Sequence, residues 1–561
     1  MKILLTAVNA KYIHMNPAVR ILKAYADEYG SITEIAEYTV NMEYDIILRD
    51  ICRRKPGVIA FSCYIWNISF VRKLAEDVKI VLPGTDIWLG GPEVSFDAEK
   101  RLEETACLKG VIRGEGEIPF KELCAHYAEG KEISEVPGIT YRSGNSIITN
   151  PDAPQIPLDD VPFIYGDMTE YADRLVYYET SRGCPFSCSY CLSSRDRPVR
   201  FRSMELLEKE LQVFLDAGVR TVKFTDRTFN IDHDHAQSIW RFIKEHDNGK
   251  TVFHFEIGAD LLNDDEIKLL SSMRPGLVQL EIGVQSTNPE TLNAVNRKHG
   301  LNRILKASEA LRKNGNMHIH LDLIAGLPYE DLESFKRSFD QVIALRPHDM
   351  QLGFLKLLKG CELSERAEEY GLTASKEPPY EVRRTPWLSP EDIFELKDVE
   401  EMCGVYYNSG RFRNTVERLA ETAGSHYRVF KELADLYKKK GWAGRPHTHL
   451  NRAENLARLT DAEEIKELIL YDLYLNENLK KRPSWAQDQR SDAALKALYS
   501  KYKTPGKDIH IERFGFDVKA YSENGRLVKK ENYLVFDYGK RDIITNDAEV
   551  TYGAFEEAES D

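Results

Sequence analysis

The 561-residue sequence has no apolar run of about 18 residues, the length at which a membrane-spanning helix is expected. It also lacks an excess of positive charge, because 76 Lys and Arg stand against 90 Asp and Glu, for a net charge of −14. This balance disfavours non-specific binding to nucleic acid or to an anionic membrane, although a local basic groove remains possible. No charged and then apolar leader follows Met1. We therefore expect neither export nor membrane insertion.

A fourth metal ligand is missing beside the one cluster of cysteines. Cys184, Cys188 and Cys191 stand in SRGCPFSCSYCLSS, and neither Cys nor His follows soon after them. A structural zinc site would need that fourth ligand. A disulfide with one spare thiol is the other alternative, but the six remaining cysteines are scattered and predict ordinary core thiols in a reducing compartment, the cytoplasm.

Three thiolates at this spacing can bind three irons of a [4Fe-4S] cluster and leave the fourth iron open to a small molecule. An open iron beside a reducible cluster is what reductive cleavage of S-adenosylmethionine requires. Tyr190, the residue before the last cysteine, can pack beside an adenine. The loop therefore predicts a site-differentiated iron–sulfur cluster.

The first 130 residues alternate strand-like and helical runs, which predicts an α/β domain with a doubly wound, Rossmann-like parallel sheet. Ligands of such sheets bind beyond the carboxyl ends of the strands. Those ends carry the segments NAKYIHMNP (9–17), SCYIWN (62–67), GGPEVS (90–95) and RGEGE (113–117). Their glycines either let a flat ligand approach the backbone or simply form tight turns.

The remainder divides into three segments. Residues 131–174 predict a linker with a hairpin, and residues 175–375 contain repeated βα units that predict a partial, TIM-like (β/α)6 barrel. Residues 376–561 predict a mostly helical C-terminal domain with a terminal β hairpin region. Because polar residues at the carboxyl ends of barrel strands line the active site, five are expected at its mouth: Asp226, Glu256, Gln285, Arg297 and Asp322. Salt bridges within the barrel are the structural alternative.

The cysteine loop and the strands after it, in this order, resemble the radical S-adenosylmethionine (radical SAM) superfamily over about 200 residues. The resemblance implies that Glu256 and Arg297 bind the amino and carboxylate groups of S-adenosylmethionine. It implies that Gln285 and Asp322 contact the ribose or adenine side, and that IAGLP, with Gly326, brings backbone close to the adenine. Asp226 stands where many members have a glycine-rich turn that pairs with the amino group.

GGPEVS and GEGE resemble the cobalamin-binding domain that precedes some radical SAM cores. The Asp-x-His-x-x-Gly signature is absent, and His14 is the sole histidine of the first hundred residues, which implies cobalamin without a protein histidine on cobalt. A degenerate, empty domain is the alternative. The resemblance places the cobalamin contacts at Tyr12, His14, Asn16, Ser62, Trp66, Asn67, Gly90, Gly91, Glu93, Ser95, Gly114, Glu115 and Gly116.

The overall order resembles a bacterial branch of these enzymes whose C-terminal domain has no assigned function. It implies methyl transfer to an unactivated carbon of an unknown substrate through a 5′-deoxyadenosyl radical, with flavodoxin or ferredoxin as electron donor. Three alternatives remain open: a radical rearrangement or cyclisation, an RNA-modifying enzyme, and a non-catalytic iron–sulfur sensor. The acidic balance weighs against RNA, and the methionine-binding groups weigh against a sensor.

Overall fold

The computed structural model describes residues 1–479, 481–489, 491–504 and 506–554. Its strands are β1 Ile3–Asn9, β2 Thr33–Thr39, β3 Val58–Ser62, β4 Asp86–Gly90, β5 Gly110–Ile112, β6 Ile139–Ser143, β7 Ser146–Thr149, β8 Val176–Tyr178, β9 Ser181–Arg182, β10 Arg200–Phe201, β11 Thr221–Phe224, β12 Val252–Ile257, β13 Val278–Gln285, β14 His318–Ala325, β15 Asp349–Phe354, β16 Thr373–Ala374, β17 Val382–Arg384, β18 Ile509–Phe516, β19 Lys529–Arg541 and β20 Ala548–Tyr552. Its helices are α1 Pro17–Tyr25, α2 Tyr44–Arg54, α3 Ile68–Val81, α4 Ala98–Glu104, α5 Glu117–Glu129, α6 Met204–Ala217, α7 His233–Glu245, α8 Asp264–Ser271, α9 Pro289–Ala294, α10 Leu301–Asn314, α11 Leu332–Ile343, α12 Glu362–Glu365, α13 Pro390–Cys403, α14 Arg413–Ala423, α15 His426–Lys440, α16 His449–Leu456, α17 Glu463–Asn476, α18 Ala493–Tyr502 and α19 Val518–Asn524.

The first sheet has the strand order β2-β1-β3-β4-β5-β6-β7, and its strands β1 to β5 are parallel. Residues of β1 are buried along its whole length, because helices cover both faces of the sheet. Helices α2, α3 and α4 pack on one face, and α1 and α5 on the other. The predicted doubly wound fold is confirmed. The hairpin that we assigned to the linker is β6–β7, and β6 pairs with β5, so it extends this sheet.

The second sheet consists of parallel strands in the order β8-β11-β12-β13-β14-β15, with helices between them, as predicted for a partial barrel. Burial alternates along β13 and β14. Val278, Leu280 and Ile282 are buried in the apolar core, whereas Glu281 and Gln285 point to the opposite side and are half-buried. The alternation gives the inner side of the barrel a polar lining.

The loop after β1 joins the two sheets. His14 forms a parallel bridge with Leu175, and the Leu175 amide donates to the carbonyl of Ile13 at 3.0 Å. This contact turns the carboxyl edge of the first sheet toward the start of β8. Loops at the other strand ends, with Gly90 and Gly114, line one cavity together with Glu256 of the barrel.

The C-terminal region packs helices α13 to α18 beside an antiparallel sheet of β18, β19 and β20. The predicted terminal hairpin is more elaborate, because α19 separates β18 from β19. Asp517 caps α19 by accepting from the Ala520 amide, and Gly525, with a φ of 73°, ends it. A capping box at Ser389 and Asp392 starts α13, as its sequence predicts. In the described part of the chain, no helix has both the length and the apolar character to cross a membrane.

Candidate functional site

The cysteine loop is closed at its base by the two short strands β9 and β10. These strands pair antiparallel, with Arg182 opposite Arg200. Just inside, the Cys184 amide donates to the carbonyl of Asp196 at 3.1 Å. Gly183 has a φ of 106°, and a Cβ there would lie 2.9 Å from the Asp196 oxygen, so this turn requires glycine. The three cysteines are therefore presented from a loop with fixed ends.

The three predicted cluster ligands lie on this loop as free thiols. Cys184 and Cys188 are buried and Cys191 is half-buried. Burial raises the pKa of Cys184, and the nearby Cys191 and Cys188 thiols add to the rise. Among the described residues no three His, Cys, Asp or Glu side chains converge as ligands of one metal ion, but thiols that bind three separate irons do not need to converge.

Two predicted contacts of S-adenosylmethionine keep buried oxygen atoms free. Within the described residues, neither Oε1 of Gln285 nor Oδ1 of Asp322 has a hydrogen-bond partner. Nε2 of His320 lies 3.2 Å from Oδ1 of Asp322, but outside hydrogen-bond geometry. Gln285 also has a φ of 72° at a register shift between β13 and β14. Unpaired buried atoms and strained backbone are typical of ligand sites, so these residues fit a bound polar molecule.

Charged side chains on the inner side of the barrel shift the pKa values of the carboxyl groups there. Burial, reinforced by Glu281 and Glu256, raises the pKa of Asp322 to about 8. Burial and then Glu281 also raise the pKa of Glu256. Glu281 behaves in the opposite way, because a 3.0 Å hydrogen bond from His254 lowers its pKa to about 2. Lys223 lies 3.3 Å from Glu281 and 3.9 Å from Glu256, so Glu281 is the better-paired carboxylate.

The other predicted contacts already have protein partners. Arg297 is half-buried, and its guanidinium donates to the carbonyl of Gly283 at 2.6 Å and to the imidazole of His299 at 2.9 Å. Its third nitrogen lies 3.7 Å from the sulfur of Cys188. Asp226 accepts from the amide and hydroxyl of Thr180, so it supports the start of the cysteine loop.

Two more members of this set are Tyr190, within the cysteine loop, and Gly326, which lies beside Leu355 and Val382. The carbonyl of Tyr190 accepts from the thiol of Cys361 at 3.3 Å. Gly326 has a φ of 91°, which an L side chain rarely adopts. Its segment therefore approaches its neighbours as bare backbone.

A cavity of about 890 Å³ lies between the carboxyl edge of the first sheet and the barrel mouth. Glu256, Lys223 and Arg227 line it from the barrel. Nine predicted cobalamin contacts line it from the first domain, namely His14, Asn16, Ser62, Trp66, Gly90, Gly91, Ser95, Gly114 and Gly116. One half-open space therefore holds these nine residues together with Glu256, a predicted contact of S-adenosylmethionine, at the edge where such sheets bind ligands.

The structure places the other four predicted cobalamin contacts outside the cavity lining. Tyr12 is exposed and lies under the guanidinium of Arg174. Asn67 is buried and donates to the carbonyls of Val8 and Ser62, so it fixes two strand ends. Glu93 and Glu115 form ion pairs with arginines.

The cavity wall contains features that suit a large ligand and features that the fold itself requires. Trp66 stacks on Tyr64 at 4.3 Å, and Nδ1 of His14 lies 2.5 Å from the hydroxyl of Tyr177. Gly114, with a φ of 68°, faces open space, where a Cβ would meet no atom within 4 Å. A Cβ on Gly91 would lie 2.6 Å from the Cys63 carbonyl oxygen, so that glycine is required by the turn. The wall thus fits cobalamin mainly through its open loops.

Sequence reasoning missed several residues of the site. Glu330 is buried, accepts from the hydroxyl of Ser286 at 2.7 Å, and has a pKa that burial raises to about 7. It supports the turn after Gln285, and its signal was the acidic residue directly after IAGLPY. Arg227 and Lys223 were also missed. Lys223 lies within β11 and Arg227 follows it, and we interpreted the end of this strand only for Asp226.

Three family models match successive parts of the chain. The B12 binding domain matches residues 3–124 and the radical SAM superfamily matches residues 178–342. A family described as a protein of unknown function (DUF4080) matches residues 368–536. These matches confirm the predicted cobalamin-type domain, the radical SAM core and a C-terminal domain without assigned function.

Relatives and solved structures agree with this order. The chain is 29% identical over 366 residues to the cobalamin-dependent radical SAM methyltransferase TokK of Streptomyces tokunonensis, over 61% of this chain and 53% of TokK. It is 25% identical to the anaerobic magnesium-protoporphyrin IX monomethyl ester cyclase of Rubrivivax gelatinosus, over 56% of this chain and 59% of the cyclase. The chain thus spans little more than half the length of either protein. In fold it resembles the radical SAM methyltransferase TsrM of Kitasatospora setae, solved with cobalamin and a [4Fe-4S] cluster, at a TM-score of 0.57 and 18% identity, over 70% of this chain and 83% of TsrM.

Proposed function

We propose that this chain, which joins a B12 binding domain to a radical SAM core, is a cobalamin-dependent methyltransferase acting on an unactivated carbon. The observation that carries the proposal is the shared cavity. Glu256, a predicted contact of S-adenosylmethionine, lines the same space as His14 and Gly114 of the first domain. A methyl acceptor in that space would lie within reach of both ligands, as such a reaction requires.

We assign the iron–sulfur cluster to Cys184, Cys188 and Cys191. Glu256, Gln285 and Asp322 would bind S-adenosylmethionine, because each offers a buried or weakly paired oxygen. In this proposal Arg297 and Asp226 act through their neighbours, since their side chains hold Gly283, His299 and Thr180.

When bound, the cluster and S-adenosylmethionine would supply a 5′-deoxyadenosyl radical, and cobalamin would supply the methyl group. The residues of the chain bind, orient and shield. Burial of the Asp322 carboxyl favours its neutral, proton-bearing form near pH 7, so it can donate a hydrogen bond to a ligand hydroxyl. Trp66 and its aromatic neighbour Tyr64 would offer an apolar surface to a bound ligand.

The remaining assignments are also proposals. The acceptor is a small molecule of unknown identity, and an acidic protein without a matched RNA-binding module makes nucleic acid a poor candidate. A flavodoxin or ferredoxin would deliver the electron. A cytoplasmic location is supported by the nine cysteines, all of which lie in the described part of the chain as free thiols.

The test combines spectroscopy with methyl tracing. The full chain is purified without oxygen, its cluster is reconstituted, and its absorbance spectrum is recorded with and without hydroxocobalamin. Retained corrin bands and transfer of labelled methyl from S-adenosylmethionine to an acceptor in a deproteinised bacterial extract are the expected results. A cluster that cleaves S-adenosylmethionine but never retains cobalamin would contradict the proposal.

A second candidate is ring closure without methyl transfer. The similarity to the magnesium-protoporphyrin cyclase supports it, because that relative matches almost as much of this chain as TokK does. Both reactions would use the same two binding regions. Formation of 5′-deoxyadenosine without transfer of the labelled methyl group to any product would favour the cyclase-type reaction.

A further inference from the structure

The base of the cysteine loop brings two arginines face to face. Arg182 on β9 pairs directly with Arg200 on β10. Like charges directly opposite on neighbouring strands destabilise the pairing. Both side chains are only 15% exposed, so water screens their repulsion weakly. These strands need a counter-ion between them to stay paired.

Glu179, just before β9, pairs with Arg182 at 2.8 Å, but a carboxylate that reaches both arginines comes from the other domain. Glu115, in the RGEGE loop after β5, lies 3.2 Å from a guanidinium nitrogen of Arg182 and accepts from two nitrogens of Arg200. Glu117, the first residue of α5, accepts from Arg182 at 3.0 Å. Both carboxylates of the GEGE motif are therefore bonded to the base of the cysteine loop.

The charged form of Glu115 is favoured by its partners. Burial would raise the pKa of Glu115, yet the hydrogen bond from Arg200 and the charge of Arg182 lower it. The contact is a network of ion pairs across the boundary between the two domains.

We infer that Glu115 and Glu117 are positioning residues that hold the cysteine loop closed from the cobalamin-type domain. Gly114 and Gly116, which alternate with them, line the cavity. A ligand that shifts the RGEGE loop therefore shifts the loop that presents the cysteines. By the same coupling, a cluster bound to the cysteines would favour one arrangement of the RGEGE loop.

The inference rests on the proposed function only where it concerns the cluster.

The first test measures iron release from the reconstituted full chain to the chelator ferrozine without oxygen. Glu115→Gln should release iron at least tenfold faster than the wild type, because the opposed arginines lose their shared anion. The double variant Glu115→Gln with Arg200→Gln should release iron more slowly than Glu115→Gln alone, because the repulsion is also removed.

A general loss of structure gives a different result. Two independent defects would add, so the double variant would lose iron at least as fast as the single one, which would overturn the inference. Glu37→Gln is the matched control. Glu37 is another buried carboxylate between the domains, 3.1 Å from Arg174, and lies away from the loop base. This variant should keep the wild-type release rate.

Hydrogen exchange decides the inference even if the chain binds no iron. The peptide covering residues 183–199 should exchange at least fivefold faster in Glu115→Gln than in the wild type, and the double variant should reverse part of that change. Equal exchange in the wild type and in Glu115→Gln would overturn the positioning role. A wild-type chain that holds no iron but shows the expected exchange would instead refute the proposed function and leave the contact established.

Discussion

The loops at the edge of the first sheet and the barrel mouth border one cavity, but the polar side chains of the two regions differ in whether they have hydrogen-bond partners. At the sheet edge, Glu93 and Glu115 are bonded to arginines, and Asn67 bonds to two strand ends. At the barrel mouth, Gln285 and Asp322 each keep a buried oxygen without a hydrogen-bond partner among the described residues. The two regions therefore have different roles. Paired charges hold the domains together, and unpaired oxygen atoms can bond to a ligand.

The largest effect should come from a cysteine of the loop. Replacing Cys188 by Ala removes one iron ligand, so we expect complete loss of cluster absorbance and of 5′-deoxyadenosine formation together. Cys361→Ala is the matched control, because that buried thiol donates to the Tyr190 carbonyl beside the same loop but is not one of the three assigned ligands. Iron content and product analysis check both variants. Retention of the cluster in Cys188→Ala would contradict the ligand assignment.

A paired carboxylate at the sheet edge should affect stability without affecting the ligand. Glu93 is 3.1 Å from Arg101 and 3.2 Å from Lys359, and it accepts from the hydroxyl of Tyr380. Glu93→Gln leaves the buried Arg101 and the half-buried Lys359 with less compensation, so we expect a loss of about 3 kcal/mol in the free energy of unfolding. Chemical denaturation measures this loss.

The affinity of Glu93→Gln for S-adenosylmethionine should not change along with its stability. It should stay within twofold of the wild type, because Glu93 does not line the cavity. Glu103→Gln, an exposed change on helix α4, which carries the Glu93 partner Arg101, should leave both quantities unchanged. A large drop in affinity with intact stability would place Glu93 with the ligand after all.

These cases show what the sequence could and could not predict. The order of the barrel strands followed from repeated βα runs, and the cysteine loop followed from its spacing. The roles of Glu93 and Glu115 could not be predicted, because Tyr380 and Arg200, their partners, lie far away in the chain. Local sequence places a residue on a loop, but only the packing of the domains determines whether its charge meets a counter-ion.

The same limit applies inside the barrel. Gln285 stands at the end of β13, a local feature that sequence can indicate, whereas Asp322 lies inside β14, and their contacts with a ligand stay predictions. Arg297 was expected to face a ligand, yet its nitrogens bond to Gly283 and His299, which only the tertiary turn brings near. Glu330 was missed for a related reason, since its partner Ser286 lies on another strand loop.

Asp322 should make stability fall as pH rises. Its pKa is raised to about 8, so the folded protein keeps a proton that the unfolded chain releases near pH 4. The folded state binds more protons between these values, so its stability declines as pH increases and the contribution is lost above the folded pKa. From pH 6 to pH 8 we expect a decline of about 2 kcal/mol that Asp322→Asn lacks. Denaturation of both proteins at each pH measures it, and parallel curves would contradict the assignment.

The smallest expected effect tests whether the strained backbone of Gln285 contributes to ligand binding. Gln285 has a φ of 72°, which costs a non-glycine residue about 1 kcal/mol or more. Gln285→Gly removes that strain and an unpaired buried oxygen, so we expect a gain of about 0.5–1 kcal/mol in the free energy of unfolding. The affinity for S-adenosylmethionine should fall about fivefold, because one contact is lost. Gln279→Gly, earlier on the same strand, should instead lose about 1 kcal/mol with unchanged affinity. If both glycine variants lose stability alike, the conformation of Gln285 is not strained, and the barrel mouth would differ from the sheet edge only in its unpaired atoms.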